Sequence, residues 1–179
     1  MNRLAKRLAA LALAGTMMVS ASLTAFAAGS PVAGNVGNDT SVAGTTTSDT
    51  GVKVENVTSD TDTAYVPSSV TLGGKTYSVD RIATSTLKQK TMKKVTLAVT
   101  SNTKFSKKVV KVKSAKKLKR VVVTSTSGKL KATNFAKTAF KGYKGKLIVK
   151  KNAMTKAQYK KLVKRLRKGG FKGKIYYKK

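Results

Sequence analysis

The sequence predicts a small, β-rich α+β domain of stacked repeat units, opened by a hairpin and closed by one helix. Three observations support this prediction: a Gly-Gly turn between two strand-like runs, short apolar strands that recur every 26–28 residues, and one amphipathic helical pattern near the carboxyl end. A period in this range is typical of stacked supersecondary units, because each unit covers the apolar face of its neighbour.

The hairpin prediction rests on residues 70–79. The runs 70–72 and 75–79 alternate as strands do, and Gly73-Gly74 lies between them. A two-residue glycine loop supplies the positive φ angles that tight hairpin turns need. We therefore expect the folded part of the chain to begin close to this hairpin.

Beyond the hairpin, the sequence repeats. Residues 92–97 align with 118–123 at an offset of 26, and the apolar pair within 146–149 follows 26 residues later. Residues 143–151 then recur as 171–179 at an offset of 28, and both copies begin with an aromatic-Lys-Gly-Lys motif. Each copy ends in a short run whose apolar residues lie two apart, which predicts one strand for each unit.

Residues 155–168 carry the clearest helical pattern. Thr155 followed by Gln158 is a capping-box pattern, and Gly169-Gly170 supplies a stop. Two interpretations stay open. The helix caps the last repeat unit, or it is a basic, membrane-active amphipathic helix. Its apolar stripe is short and lacks Trp, Phe and Met, which favours capping. The stripe consists of Tyr159, Leu162, Val163 and Leu166.

The amino-terminal residues 1–27 have the three parts of an export signal. Arg3, Lys6 and Arg7 form a positive start, residues 8–19 are apolar, and Ala25-Phe26-Ala27 gives the small-x-small pattern of a cleavage site. The apolar run is shorter than the roughly 20 residues that a spanning helix needs. The sequence therefore predicts cleavage and export, with no membrane-spanning helix in the mature chain.

Residues 28–64 are rich in Thr, Ser, Gly and Val and have almost no large side chains. Such a segment buries too little surface to offset the entropy of ordering it. We predict a disordered linker here, followed by a basic repeat domain at residues 65–179.

Charge divides sharply along the chain, whose net charge is +32. All six acidic residues lie between Asp39 and Asp80, whereas residues 81–179 hold 33 basic residues and no acid. A face that only keeps a protein soluble normally mixes both signs. The one-sign pattern therefore favours contact with polyanions over a merely solvated face. Most of these cations are lysines, which are hydrated point charges that attract many anions diffusely.

The predicted polyanion-binding residues are the basic clusters of the later repeat units and of the helix. They are Lys116, Lys117, Lys119, Arg120, Lys144, Lys146, Lys150, Lys151, Lys160, Lys161, Lys164, Arg165, Arg167 and Lys168. The expected partners are polyanions outside a bacterial cell: teichoic acid, heparin-like glycosaminoglycans, extracellular DNA and anionic lipid headgroups.

Composition argues against an enzyme. Cysteine and histidine are absent, which removes disulfides, thiolate metal sites, the commonest metal ligand and the usual base at neutral pH. No carboxylate pair lies in the predicted domain, so glycosidase chemistry lacks its parts. Ser106 beside Lys107 or Lys108 is the remaining nucleophile-base pattern, and chance explains it at this lysine content. We expect no catalytic residues, no cofactor and no metal.

One stretch resembles a known family. Residues 136–142 read Ala-Lys-Thr-Ala-Phe-Lys-Gly and precede a Lys-rich strand. This is similar to the Asn-Ala-Phe-x-Gly unit of BspA-like leucine-rich repeats, and residues 66–77 and the closing Lys-rich helix are similar to the ends of such domains. The corresponding turn is missing at 105–115. The resemblance implies a short, degenerate leucine-rich-repeat solenoid, as in surface and secreted proteins of host-associated bacteria, some of them adhesive.

Together these observations predict a non-enzymatic binding protein that is secreted or retained on the cell wall by charge. Its lysine-rich domain would contact teichoic acid, a glycosaminoglycan or a similar polyanion. Two alternatives stay open: a cationic effector that damages membranes, and an adhesin for a specific host surface protein.

Overall fold

The computed structural model describes residues 28–179, and the predicted export signal at 1–27 lies outside this part of the chain. The described residues form two β-sheets, one α-helix and one 3-10 turn. Helix α1 spans Lys156–Lys168 and the 3-10 turn spans Ala132–Asn134. The strands are β1 (Pro31–Asn35), β2 (Thr40–Thr46), β3 (Gly51–Ser59), β4 (Thr63–Val66), β5 (Ser69–Leu72), β6 (Lys75–Ile82), β7 (Lys94–Thr100), β8 (Lys104–Phe105), β9 (Arg120–Ser127), β10 (Lys146–Lys150) and β11 (Lys174–Lys178).

The first sheet has the strand order β1-β2-β3-β6-β5, with β8 beside β6. Strands β5 and β6 form the antiparallel hairpin that the sequence predicts, and Leu72 pairs with Lys75 across its turn. Gly73 and Gly74 have φ angles of 59° and 77° there. The two edge strands approach each other, since a Cβ on Gly34 would lie 3.0 Å from Leu72 Cδ2. The sheet therefore nearly closes into a barrel.

The structure corrects the prediction of a disordered linker at residues 28–64, because β1, β2 and β3 lie in that segment. Val52 and Val57 are completely buried there. Thr40 is also buried, and its hydroxyl oxygen accepts a hydrogen bond from the backbone N–H of Tyr65 at 3.0 Å. Small β-branched side chains suit strands, and here the neighbouring strands supply the rest of the buried surface. The predicted boundary at residue 65 falls inside β4.

The second sheet is parallel throughout, in the order β4-β7-β9-β10-β11. Its register follows the sequence repeats. Val95 pairs with Val121 and Val121 with Leu147, both at an offset of 26, and Leu147 pairs with Ile175 at an offset of 28. The prediction of one strand for each repeat is confirmed for these four strands.

The predicted fold class is wrong, however. The described chain is mostly β, with two sheets, and is not clearly a solenoid. The first sheet is largely antiparallel and nearly closed, so it does not continue the parallel stacking of the second. Only one helix of 13 residues accompanies the described strands. A leucine-rich-repeat solenoid would instead place a helix or 3-10 segment behind each strand.

Aromatic side chains fill the interior behind the second sheet. The rings of Phe105 and Phe135 stack with centroids 4.2 Å apart, and Phe140 lies within 6.5 Å of both. Tyr143 and Phe171 extend the cluster, and all five side chains are buried. These aromatic residues therefore pack the core.

Helix α1 closes the aromatic end of this core. Thr155 caps it by accepting a hydrogen bond from the N–H of Gln158 at 3.3 Å, as the sequence predicts. Leu162 and Leu166 are completely buried, and the Tyr159 hydroxyl donates to the carbonyl oxygen of Ile175 at 3.1 Å. The apolar stripe thus packs against the rest of the protein, as the capping interpretation expects.

Candidate functional site

The outer side of the second sheet is an open face that no other described element covers. Side chains alternate along each strand, so residues such as Val95, Leu97, Val121 and Val123 point into the core and are completely buried. The residues between them line a groove of about 520 Å³. We call this surface the open face. It is lined by Lys94, Thr96, Arg120, Val122, Thr124, Lys146, Ile148, Lys150, Tyr176 and Lys178.

Four cations cross the open face side by side. Lys94 pairs with Arg120, Arg120 with Lys146, and Lys146 with Lys174, so each of four adjacent strands begins with a positive charge. We call these four residues the cation row. Neighbouring strands lie about 4.8 Å apart, which gives the row a length of roughly 14 Å. Like charges directly opposite one another destabilise a sheet, so the row is an unfavourable arrangement in the absence of an anion.

A second row, two residues further along the same strands, is mostly apolar. It consists of Thr96, Val122, Ile148 and Tyr176, which pair in register across the sheet. We call it the apolar row. Two residues of a parallel strand extend about 6.6 Å, so the apolar row runs parallel to the cation row at that spacing. Val122 is buried, whereas Ile148 and Tyr176 are half-buried, so the outer surfaces of these two side chains form a shallow platform.

The far side of the platform is polar. Lys150 pairs with Lys178 across β10 and β11, and the Lys178 ammonium lies 5.6 Å from the centre of the Tyr176 ring. The Asn152 amide donates to Thr124 Oγ1 at 2.9 Å and to the carbonyl oxygen of Ser125 at 2.8 Å. The platform therefore has cations on both sides and hydrogen-bonding groups at one corner.

Neither of the two ion pairs among the described residues includes a member of the cation row. Lys53 pairs with Glu55 at 2.7 Å, and Lys93 pairs with Asp62 at 2.8 Å. The hydrogen bond from Lys93 lowers the pKa of the Asp62 carboxyl, and the same contact raises the pKa of Lys93. Both pairs use acids that precede residue 81. None of the residues that line the open face is acidic, although Asp62 and Lys93 directly precede β4 and β7 of the same sheet.

The structure separates the sequence-predicted residues into three groups. Arg120, Lys146 and Lys150 line the open face. A second group is exposed on the turns before and after β9 and β10 or on the outside of α1. It consists of Lys116, Lys117, Lys119, Lys144, Lys151, Lys160, Lys161, Lys164 and Lys168.

The third group is the two helix arginines, which hold the fold together. Arg165 is half-buried, and its Nε donates to the carbonyl oxygen of Phe135 at 2.7 Å. Arg167 donates from Nη1 to the carbonyl oxygen of Phe171 at 3.2 Å and lies over that ring at 5.2 Å. Both guanidinium groups therefore link the helix to the aromatic core, which leaves them less free to meet an anion.

Sequence reasoning missed three residues of the site: Lys94, Lys174 and Lys178. The signal was present, because Lys94 aligns with Arg120 in the 26-residue repeat and Lys174 aligns with Lys146 in the 28-residue repeat. Strand alternation then assigns all of them to one face. Combining repeat register with alternation would have found the row.

A second, more open groove lies beside β8, with a volume of about 430 Å³. Arg81, Lys104 and Lys107 line it. The Asn134 side chain beside it is already engaged, since its amide donates to the carbonyl oxygens of Ser101 and Thr103. This groove lacks a regular row, so the open face is the better candidate.

Comparisons with known proteins give no relative: no family model, no curated protein and no solved structure matches the chain. The likeness to BspA-like repeats therefore stays a prediction about family. Residues 28–179 contain no helix long and apolar enough to cross a membrane. In the same range, no three acidic side chains meet in a way that could hold a metal ion.

Proposed function

We propose that this chain is a non-enzymatic binding protein, secreted or retained on the cell wall, that contacts polyanions through its open face. Teichoic acid and glycosaminoglycans are the expected classes of partner. The observation that carries this proposal is the cation row, in which four positive charges on adjacent strands face solvent without an acidic partner.

The arrangement of the cation row favours the open face over the lysines of α1 as the main contact. Strand register places the backbones of the four cations in one line beside the apolar row, although each lysine ammonium remains on a flexible stem. The exposed lysines on the turns and the helix would add long-range attraction, which speeds encounter more than it strengthens the bound state.

Salt dependence provides the first measurement. An anionic polymer carries condensed counterions, and each lysine or arginine that replaces one releases it, so affinity falls steeply with salt. We expect the mature chain to bind immobilised heparin or isolated cell walls at low ionic strength and to elute with salt alone. Binding that is unchanged between low and high salt would point to recognition by shape, as in an adhesin for one host protein.

Two matched variants locate the contact. The face variant is Lys94→Gln, Arg120→Gln, Lys146→Gln and Lys174→Gln. The helix variant is Lys156→Gln, Lys160→Gln, Lys161→Gln and Lys164→Gln, which removes the same number of charges from exposed positions on α1. We expect the face variant to lose about four counterions from the salt slope and the helix variant to lose far fewer. Equal losses in both variants would contradict the open face as the site.

The alternative of a membrane-damaging effector requires a conformational change in α1. Leu162 and Leu166 are completely buried against the core, so α1 would have to leave the protein before its apolar stripe could enter a bilayer. Leakage of anionic vesicles that disappears on deletion of residues 155–168 would favour that alternative.

A further inference from the structure

We infer that the open face takes an acidic polysaccharide with about one carboxylate or sulfate for each sugar, and that the polymer lies across the strands. This inference rests on the proposed function and assigns a substrate class to the same surface. Each of four adjacent strands would then accommodate one sugar residue of the polymer.

The spacing of the cation row supports this class. One charge on each strand repeats at about 4.8 Å, the distance between neighbouring strands. A pyranose ring in an extended chain has nearly this length, so successive rings of the polymer would lie over successive strands. Phosphates of an extended nucleic acid strand or of a glycerol-phosphate polymer are further apart, whereas those of inorganic polyphosphate are closer together. The phosphate spacing of these polymers therefore does not match the spacing of the cation row.

The apolar row supports a ring-shaped partner. Sugar rings present flat C–H surfaces that pack on aliphatic and aromatic side chains, and the half-buried Ile148 and Tyr176 offer such a surface beside the cations of β10 and β11. Inorganic polyphosphate has no apolar surface with which to use this row. Acids of successive rings in an extended 1,4-linked chain point to alternate edges, so alternate acids would meet the cation row and the others would face Lys150 and Lys178.

The far side of the platform suits the remaining groups of a sugar. Lys150 and Lys178 lie on the side opposite the cation row, and Lys150 Nζ also donates to the carbonyl oxygen of Lys179. The Thr124 hydroxyl is engaged with the Asn152 side chain, so the ammonium groups, each with three donors, are the groups that would bind ring hydroxyls. A ribbon of rings centred on the apolar row would therefore meet polar partners along both edges.

The row also sets a length requirement. Because one ring corresponds to one strand, a tetramer would span all four strands of the cation row, whereas a dimer would span two. Affinity for a uronic acid oligomer should rise steeply from dimer to tetramer. Beyond the tetramer it should rise only slowly, because additional rings offer new registers on the same site and no further aligned cation.

The experiment compares three polyanions of matched total charge at one low ionic strength: oligogalacturonate, inorganic polyphosphate and single-stranded oligothymidylate. Titration calorimetry on the mature chain gives the three dissociation constants. We expect the dissociation constant of oligogalacturonate to be lower than that of polyphosphate by a factor of about ten or more. Tightest binding of the oligonucleotide would overturn the sugar assignment in favour of nucleic acid.

A variant of the apolar row separates ring contact from charge. Ile148→Thr with Tyr176→Thr places a β-branched residue at both strand positions and leaves every cation in place. We expect it to lose the preference for oligogalacturonate while binding polyphosphate as the unmodified chain does. Val112→Thr is the control, because Val112 is an exposed apolar residue outside the open face.

The results distinguish this inference from the proposed function. Equal affinity for all three polyanions, or a preference that survives the apolar-row variant, would overturn the sugar inference and leave polyanion binding standing. Failure to bind any of the three at low ionic strength would overturn both.

Discussion

The two sheets bury similar side chains and differ in what they present to solvent. On the first sheet, Lys53 and Glu55 form an ion pair on β3, and the Thr47 hydroxyl donates to the carboxylate of Asp80 at 2.9 Å. On the second sheet, Lys94 and Arg120 lie directly opposite each other without an acid. Both interiors are made of Val, Leu and aromatic residues that belong to one continuous core. The fold therefore leaves the outer face of the parallel sheet free to carry charge that has no structural purpose.

This comparison explains why the open face is a better functional candidate than the charge total alone suggests. Self-repulsion among cations destabilises the compact state, and the first sheet shows that the same chain can pair its charges. Residues 81–179 contain no acid, so charge of one sign also covers the turns and α1, and the open face differs from them in that strand register aligns its cations. Substitutions in the core, in the repeat turns and at a buried tyrosine test this comparison, and the core substitution should change stability most.

The core is the first place to test whether the two sheets act as one body. Phe135 is completely buried and stacks on Phe105. Phe135→Ala should lower the free energy of unfolding by about 3–5 kcal/mol, because it removes a ring and leaves a cavity. Val57→Ala in the first sheet should cost less, since it removes only two methyl groups. Urea unfolding followed by far-ultraviolet circular dichroism gives both values.

The shape of those unfolding curves matters as much as the midpoints. A shared core predicts a single transition that both variants move. Two transitions, each moved by only one of the variants, would break the comparison by making the sheets independent units.

Close packing of the repeat turns gives the next largest effect. A Cβ on Gly173 would overlap the carbonyl oxygen of Gly145 in the preceding repeat. Gly173→Ala should therefore cost about 1–3 kcal/mol, as crowding of a tight contact does. It should also weaken polyanion binding, because it shifts the neighbouring Lys174 out of the cation row.

The control for this prediction is Lys172→Ala, which removes a charge from the same turn without adding volume. It should leave the unfolding free energy nearly unchanged. A Gly173→Ala protein as stable as the unmodified chain would show that the β10 and β11 turns do not need this close approach.

A buried tyrosine gives the smallest effect and a pH dependence. Burial raises the pKa of Tyr143, whose hydroxyl has no hydrogen-bond partner within residues 28–179. Its folded pKa lies above its unfolded value of about 10, so its stabilising contribution is complete below that pH and is lost as pH rises further. Tyr143→Phe should change stability by less than about 1 kcal/mol at neutral pH and become relatively more stable in alkali.

The measurement is urea unfolding of both proteins at neutral pH and at several values above pH 10. Their difference cancels the titration of the lysines, which the two proteins share. Tyr176→Phe, on the open face, is the matched control. A constant difference between Tyr143→Phe and the unmodified chain across this range would contradict the assignment.

Local patterns in the sequence were enough to predict the hairpin, α1 with its Thr155 cap, and the pairing of Val95, Val121 and Leu147 at one repeat offset. Each of these depends on residues close in sequence or on an explicit repeat. The strands of residues 28–64 depend instead on distant partners. Thr40, for example, is buried and its hydroxyl accepts a hydrogen bond from the backbone N–H of Tyr65, which is distant in sequence. No local pattern reports such a contact.

The candidate site was predictable in part for a related reason. Charge composition identified the region and predicted polyanions as the type of partner, and three of the fourteen chosen cations line the open face: Arg120, Lys146 and Lys150. The choice was made by local density of lysine, which favoured the turns and the helix. A site that forms across strands depends on register, and the single lysine at the start of each strand looks unremarkable along the chain.

Each 26–28-residue unit from β7 to β11 contributes one strand of the second sheet, one cation and one residue of the apolar row in the same positions. The length of the proposed binding site is therefore an inheritable quantity that changes in whole steps. Duplication of one unit would lengthen the row by one charge without a new surface having to evolve, and loss of a unit would shorten it. Selection could thus adjust avidity for a polymer through the number of units, while every individual contact remained weak and replaceable.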